Sequence, residues 1–111
     1  MKLPNNENAF IDIEKLNGYC LNFSHERGKH KARLFSSILG IKKEDAQQLR
    51  NTILEAVKTH DAIKAGESIH GKRFVVEFTL KNNKGEAKVR TTWIIRKHEN
   101  YPRLTSCYIV K

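Results

Sequence analysis

The sequence predicts an α+β domain, with N-terminal helices packed on one face of a roughly four-stranded antiparallel β-sheet meander. Three observations predict it. Apolar residues recur at three- and four-residue spacing through the first half of the chain. From residue 61 the apolar period changes to two. The stretches between the two-period runs, Asn82-Asn83-Lys84-Gly85 and Asn100-Tyr101-Pro102, have the composition of tight turns. Helices first and strands afterwards is the α+β order.

Residues 1–13 read as an N-terminal extension, polar and frayed over 1–9, with Phe10, Ile11 and Ile13 as a short strand or extended anchor. Residues 14–111 read as a single domain. Glu14 to Leu21 makes one or two helical turns, interrupted at Gly18. A loop from Asn22 to Gly28 carries His25. The first substantial helix runs from Lys29 to Leu39, with Gly40 as its C-terminal stop. Its apolar stripe is Ala32, Leu34, Phe35, Ile38 and Leu39. Lys31 intrudes into that stripe, where a lysine must snorkel outward or be held for a purpose. The second helix spans Lys43 to Thr59, with Ala46, Leu49, Ile53, Ala56 and Val57 on one face. The strands follow: Ala62–His70, Lys72–Leu80, Glu86–Arg96 and Arg103–Val110. The helices should cover the face carrying Phe74, Val76, Phe78, Val89, Trp93 and Ile95. The other face would show Arg73, Glu77, Arg90 and Thr92, subject to a register that one residue would reverse.

The chain has 111 residues, 39% of them hydrophobic and 30% charged, which suits one globular domain and excludes a disordered tail. The formal charge of +9, from 21 Lys and Arg against 12 Asp and Glu, favours a polyanionic partner. No apolar run reaches the roughly 18 residues of a membrane span. The first residues contain no apolar signal segment, so an exported form would take its signal from a longer parent chain. Cys20 and Cys107 lack metal-type spacing; two buried free thiols and a single disulfide both fit them.

No sequence motif for a metal, a nucleotide cofactor or a hydrolase triad is present. Neither a metal nor a cofactor is expected. What remains is histidine, lysine, arginine and threonine. That set suits RNA cleavage without a metal, in which the 2′-hydroxyl attacks the adjacent phosphorus and the protein supplies a base, an acid and cations. His25 and His70 are the candidate base and acid. Lys31, Arg33 and Arg90 would bind phosphate, and Thr92 or Thr105 would donate a hydrogen bond to it. Lys29, His30, Arg73 and Arg103 complete the expected substrate-binding set. His70-Gly71 is equally well read as a plain turn. His60 and His98 read as exposed bystanders, Trp93 as core, and Tyr19, Tyr101 and Tyr108 as too scattered to stack RNA.

The pattern L-N-x-x-H-x-x-G-K-x-K-A-R-x-F over Leu21–Phe35 is followed by His70-Gly71, then V-R-T-T-W-I-I over Val89–Ile95, then P-R-L-T-S over Pro102–Ser106. It resembles a small bacterial domain family of uncharacterised function, found alone or at the C-terminus of polymorphic and contact-dependent inhibition toxins. The topology is similar to the Barnase/EndoU/colicin/RelE (BECR) ribonuclease toxin group. By motif, the resemblance singles out His25, Gly28, Lys31, Arg33, His70, Arg90, Thr92 and Trp93. It implies an endoribonuclease toxin, a tRNA nuclease by expectation, monomeric apart from its complex with an acidic immunity protein. It also implies action in the cytoplasm of a target or host cell, after delivery as part of a larger secreted protein. A non-catalytic basic nucleic-acid-binding module is the alternative. A protein-interaction or immunity domain is a third reading, disfavoured by the basic charge.

Overall fold

The computed structural model describes residues 1–110. Helix α1, Ile13–Lys15, runs directly into a π turn over Leu16–Cys20. Asp12 caps the start, its side chain accepting the Glu14 N–H at 3.0 Å. The wide turn closes with Leu21 N–H donating to Leu16 O at 2.7 Å. Helix α2 covers Lys29–Leu39 and ends at Gly40, whose φ of 66° lets Ile41 N–H reach back to Phe35 O. Helix α3 covers Ala46–Ala56, entered through a 3₁₀ turn at Lys43–Asp45 and left through a hydrogen-bonded turn. Its expected ends therefore lie outside the α-helix proper.

Four strands follow: β1 (Ala62–Ser68), β2 (Gly71–Lys81), β3 (Glu86–Arg96) and β4 (Arg103–Val110). They form one antiparallel sheet in the order β1-β2-β3-β4, so β1 and β4 are its edges. The β2–β3 turn is set by Asn82, whose side-chain oxygen accepts the N–H groups of Lys84 and Gly85. The same side chain donates to Leu39 O at 2.9 Å, tying that turn to the end of α2.

The helices cover one face of this sheet. Phe74, Val76, Phe78, Val89 and Trp93 are buried there with Leu16, Phe35, Leu39, Leu49 and Ile53. Ile95, expected with them, is only half-buried, because it lies near the end of β3. Trp93 finds its polar partner within the core: its indole N–H donates to Thr91 Oγ1 at 2.8 Å, and that hydroxyl donates to Val76 O at 2.8 Å. The opposite face carries Glu77, Arg90 and Tyr108 in one row and Val75, Thr92 and Ser106 in the next. Between Thr92 and Trp93 the β3–β4 register shifts, leaving Thr105 as an extra residue on β4. This face is not bare throughout: Ile94, opposite Arg103, is 7% exposed.

Residues 1–9 are held to the fold and not frayed. Leu3 and Ile11 are buried in the core at 1% and 2% exposure. Lys2 bridges Asp61 beside the start of β1. Phe10 N–H donates to Pro102 O, and Leu104 N–H donates to Phe10 O, which adds a short parallel segment along β4. The polar composition hid the anchor at Leu3, whereas the anchor at Ile11 is the expected one; seven residues of loop and turn separate them. Leu3→Ala is therefore expected to cost about 2–5 kcal/mol of stability in urea unfolding, as for a core leucine. A loss under about 0.5 kcal/mol, typical of an exposed site, would contradict this packing.

Candidate functional site

Lys31 lies on α2 where the helical layer meets the β4 edge. Its ammonium donates to Tyr19 Oη at 3.2 Å and to Ser106 Oγ at 3.1 Å. It also sits 5.0 Å from the centre of the Tyr19 ring and 4.9 Å from that of Tyr108. Tyr19 comes from the π turn, and Ser106 and Tyr108 come from β4. No carboxylate among the described residues pairs with this ammonium. A half-buried cation satisfied by neutral hydroxyls and ring faces keeps its full charge for an incoming anion.

The cluster continues across the open face. Arg90 donates to Tyr108 Oη at 3.4 Å and to Glu77 Oε2 at 2.5 Å. The Tyr108 hydrogen bond first, and Glu77 second, raise the Arg90 pKa further and keep it a permanent cation. Glu77 neutralises much of that charge locally, and both side chains remain about one-third exposed at 31% and 36%. In the next row, the hydroxyls of Thr92 and Thr105 are 2.6 Å apart, and Thr92 also donates to Ser106 O at 3.3 Å. The β4 bulge makes this pairing, since it brings Thr105 level with Thr92.

His25 joins from the loop before α2. Its ring meets Tyr19 edge-on, with centres 4.7 Å apart. Its Nδ1 accepts the N–H groups of Arg27 at 3.1 Å and Gly28 at 3.0 Å. That bonding puts the proton of the neutral ring on Nε2, which is then a donor. Gly28 is essential to this corner: a Cβ there would stand 2.2 Å from Tyr19 O.

The structure thus gathers His25, Lys31, Arg90, Thr92 and Thr105 into one neighbourhood. It adds Tyr19 and Tyr108, which read as too scattered in the sequence, and Glu77 and Ser106, for which the sequence suggests no role in the site. Tyr19 and Tyr108 are far apart in the chain yet flank the same ammonium; only the odd place of Lys31 in its helix stripe hinted at such partners. Lys29, His30 and Arg33 stand on or beside the first turns of α2; His30 and Arg33 are exposed and Lys29 half-buried.

His70 is not brought to this neighbourhood. It is exposed in the β1–β2 turn, at the opposite edge of the sheet from β4, with its backbone N–H on Ser68 Oγ. Four strands at about 4.8 Å spacing separate the edges by roughly 14 Å, so His25 and His70 cannot act as one acid–base pair on one phosphate. Arg73 shares His70's end of the sheet and donates to Ser68 Oγ at 3.1 Å. Arg103 is a structural clamp. It donates to Glu99 Oε2 at 2.6 Å and to Tyr101 Oη at 2.9 Å, and it covers the Phe10 ring at 4.9 Å.

A family model described as Domain of unknown function (DUF6883) matches residues 2–111, and the chain belongs to that family. Neither the curated proteins nor the solved structures contain a match.

The Arg103 clamp has a pH consequence. Its hydrogen bond holds the Glu99 carboxyl below its usual range, reinforced by Tyr101. A carboxyl lowered in the folded state stabilises the fold above its unfolded pKa, about 4.3 for glutamate, and loses that contribution as pH falls toward its folded value. Thermal unfolding should therefore drop more steeply below about pH 4.3 for the native chain than for Glu99→Gln. Equal slopes would contradict it.

Proposed function

We propose that this domain is an endoribonuclease that needs no metal and works through a phosphate site centred on Lys31. The observation that carries the reading is the Lys31 ammonium, fixed by Tyr19 and Ser106 with no carboxylate partner among the described residues. A phosphodiester oxygen seated on Lys31 lies within the neighbourhood of His25, Arg90 and Thr92. Arg90 and the Thr92–Thr105 hydroxyl pair would stabilise the charge that builds on the phosphorus oxygens. Glu77, the carboxylate within the cluster, is the group suited to take the 2′-hydroxyl proton. His25, with Nδ1 occupied and Nε2–H free to donate, suits a hydrogen bond to the leaving 5′-oxygen as its charge builds. The attacking oxygen gives its proton to Glu77, and the departing 5′-oxygen takes one from water while His25 holds it.

The +9 charge supports RNA as the partner, and the same charge would draw an acidic neutralising protein to the site. Within this reading the domain is a toxin acting on RNA, with tRNA the expected target, in the cytoplasm of a target cell.

The test is cleavage of total bacterial RNA by the purified domain in EDTA, read on a denaturing gel. Discrete new fragments are expected. Lys31→Met, which keeps the apolar stem and removes the charge, should slow cleavage by about 10²–10³-fold, the cost of losing one preorganised donor. His70→Ala should cut at close to the native rate, since His70 lies at the far edge of the sheet. Uncut RNA, including in the presence of cell extract, would overturn the nuclease; retention of uncut RNA with a steep salt dependence would establish the binding module instead.

A further inference from the structure

Cys20 and Cys107, 87 residues apart in sequence, lie side by side in the core, both with zero exposure. Cys107 N–H donates to Cys20 Sγ at 3.4 Å. Their immediate neighbours build the Lys31 seat: Tyr19 precedes Cys20, and Ser106 and Tyr108 bracket Cys107. The two thiols therefore join the π turn to β4 at the one place where both segments hold the ammonium. We propose that Cys20 and Cys107 are a redox modification site, oxidised to an intramolecular disulfide by a small-molecule disulfide such as oxidised glutathione, and that this bond reshapes the Lys31 site.

The two thiols have unequal roles. The hydrogen bond from the Cys107 thiol, followed by the Cys107 N–H, the Lys31 charge and the Ser106 hydroxyl, lowers Cys20 to about 7 against the opposing effect of burial. Cys107 is pushed up by the same pairing and by burial. Cys20 is the thiolate that attacks once local opening of the π turn uncovers it, and Cys107 is the resolving thiol. In the first step Cys20 Sγ bonds to one sulfur of the oxidant, the S–S bond of the oxidant breaks, and one thiolate leaves. In the second, Cys107 Sγ attacks Cys20 Sγ, the second thiolate leaves, and the Cys107 proton goes to it. The oxidant is reduced to two thiols. The new bond draws the sulfurs to about 2.05 Å, which shifts Tyr19 and Ser106 relative to Lys31.

Only the consequence for RNA cleavage rests on the proposed nuclease; the oxidation is read without RNA. The full domain is incubated with oxidised glutathione, then measured by intact mass, thiol titration after denaturation, and amide NMR. The expected product is lighter by two hydrogen atoms, has no titratable thiol and is restored by dithiothreitol. Its amide shifts concentrate at Tyr19–Leu21, Lys31 and Ser106–Tyr108. Cys107→Ser should trap the mixed disulfide on Cys20, and Cys20→Ser should leave Cys107 unmodified. Where cleavage is established, oxidation should slow it by up to about 10²-fold, the cost of displacing a catalytic group by roughly 1 Å. Two thiols that stay free in the treated native protein, or two separate glutathione adducts, would overturn the site. A disulfide that leaves the Lys31 and Tyr19 signals unmoved would overturn its link to the phosphate site.

Discussion

The site depends on where the Lys31 ammonium rests. Lysine in an apolar helix stripe is unfavourable unless its charge reaches polar partners. Here it reaches two hydroxyls and two ring faces from segments that meet only in the folded chain. The ammonium lies on the seam between α2, the π turn and β4. Each partner fixes a different element: Tyr19 the turn, Ser106 and Tyr108 the sheet edge. A shift of any of the three would leave a half-buried charge short of hydrogen bonds, a heavier penalty than the gain from any single contact. The seam is thus held to one geometry by the cation it carries.

Two features beyond the seam hold it in place. Gly28 lets the start of α2 come down onto the Tyr19 carbonyl, a distance that no side chain would tolerate. The same glycine N–H helps lock the His25 ring, so one small residue orients both His25 and Tyr19. At the start of β4, the N-terminal segment pairs with the strand through Phe10, while Arg103 binds Glu99 and Tyr101 and covers Phe10. Arg103 resembled a phosphate ligand in sequence because a cation on a strand carries no mark of its partner. Its carboxylate and the Tyr101 hydroxyl lie within four residues upstream, and the Phe10 ring comes from the other end of the chain.

Periodicity made the architecture legible. β3 and β4 fall within the ranges that alternation predicts, and the α2 stop at Gly40 follows from its left-handed backbone. The buried face through Phe74, Val76, Phe78, Val89 and Trp93 follows from the same alternation. Leu3 was not legible, since an isolated leucine among polar residues has no period. Nor was the partnership of Tyr19 with Tyr108, which exists only because β4 is an edge strand and the π turn packs beside it. The His25–His70 pairing failed for a topological reason. A meander places its first and last strands at opposite edges; His70 lies in the β1–β2 turn, whereas His25 packs on Tyr19 beside β4. Lys31 was legible as an anomaly, and the anomaly marked the site.

The distribution of charge separates two kinds of cation on this face. Arg90 is already paired with Glu77, and Arg103 with Glu99; a phosphate approaching either must compete with a carboxylate or share its cation. Lys31 has no such competitor among the described residues. An anion bound there exchanges water for a preformed contact without breaking an ion pair, so it should bind first and most strongly at that point. Arg90 and Glu77, linked to Lys31 through Tyr108, then lie beside the bound group as a neutral pair. A cation and a carboxylate held together are poor at attracting a polyanion, and the cation keeps the carboxylate oriented. In the proposed nuclease, the cluster therefore leaves anion binding to the unpaired Lys31 and the proton to the paired Glu77.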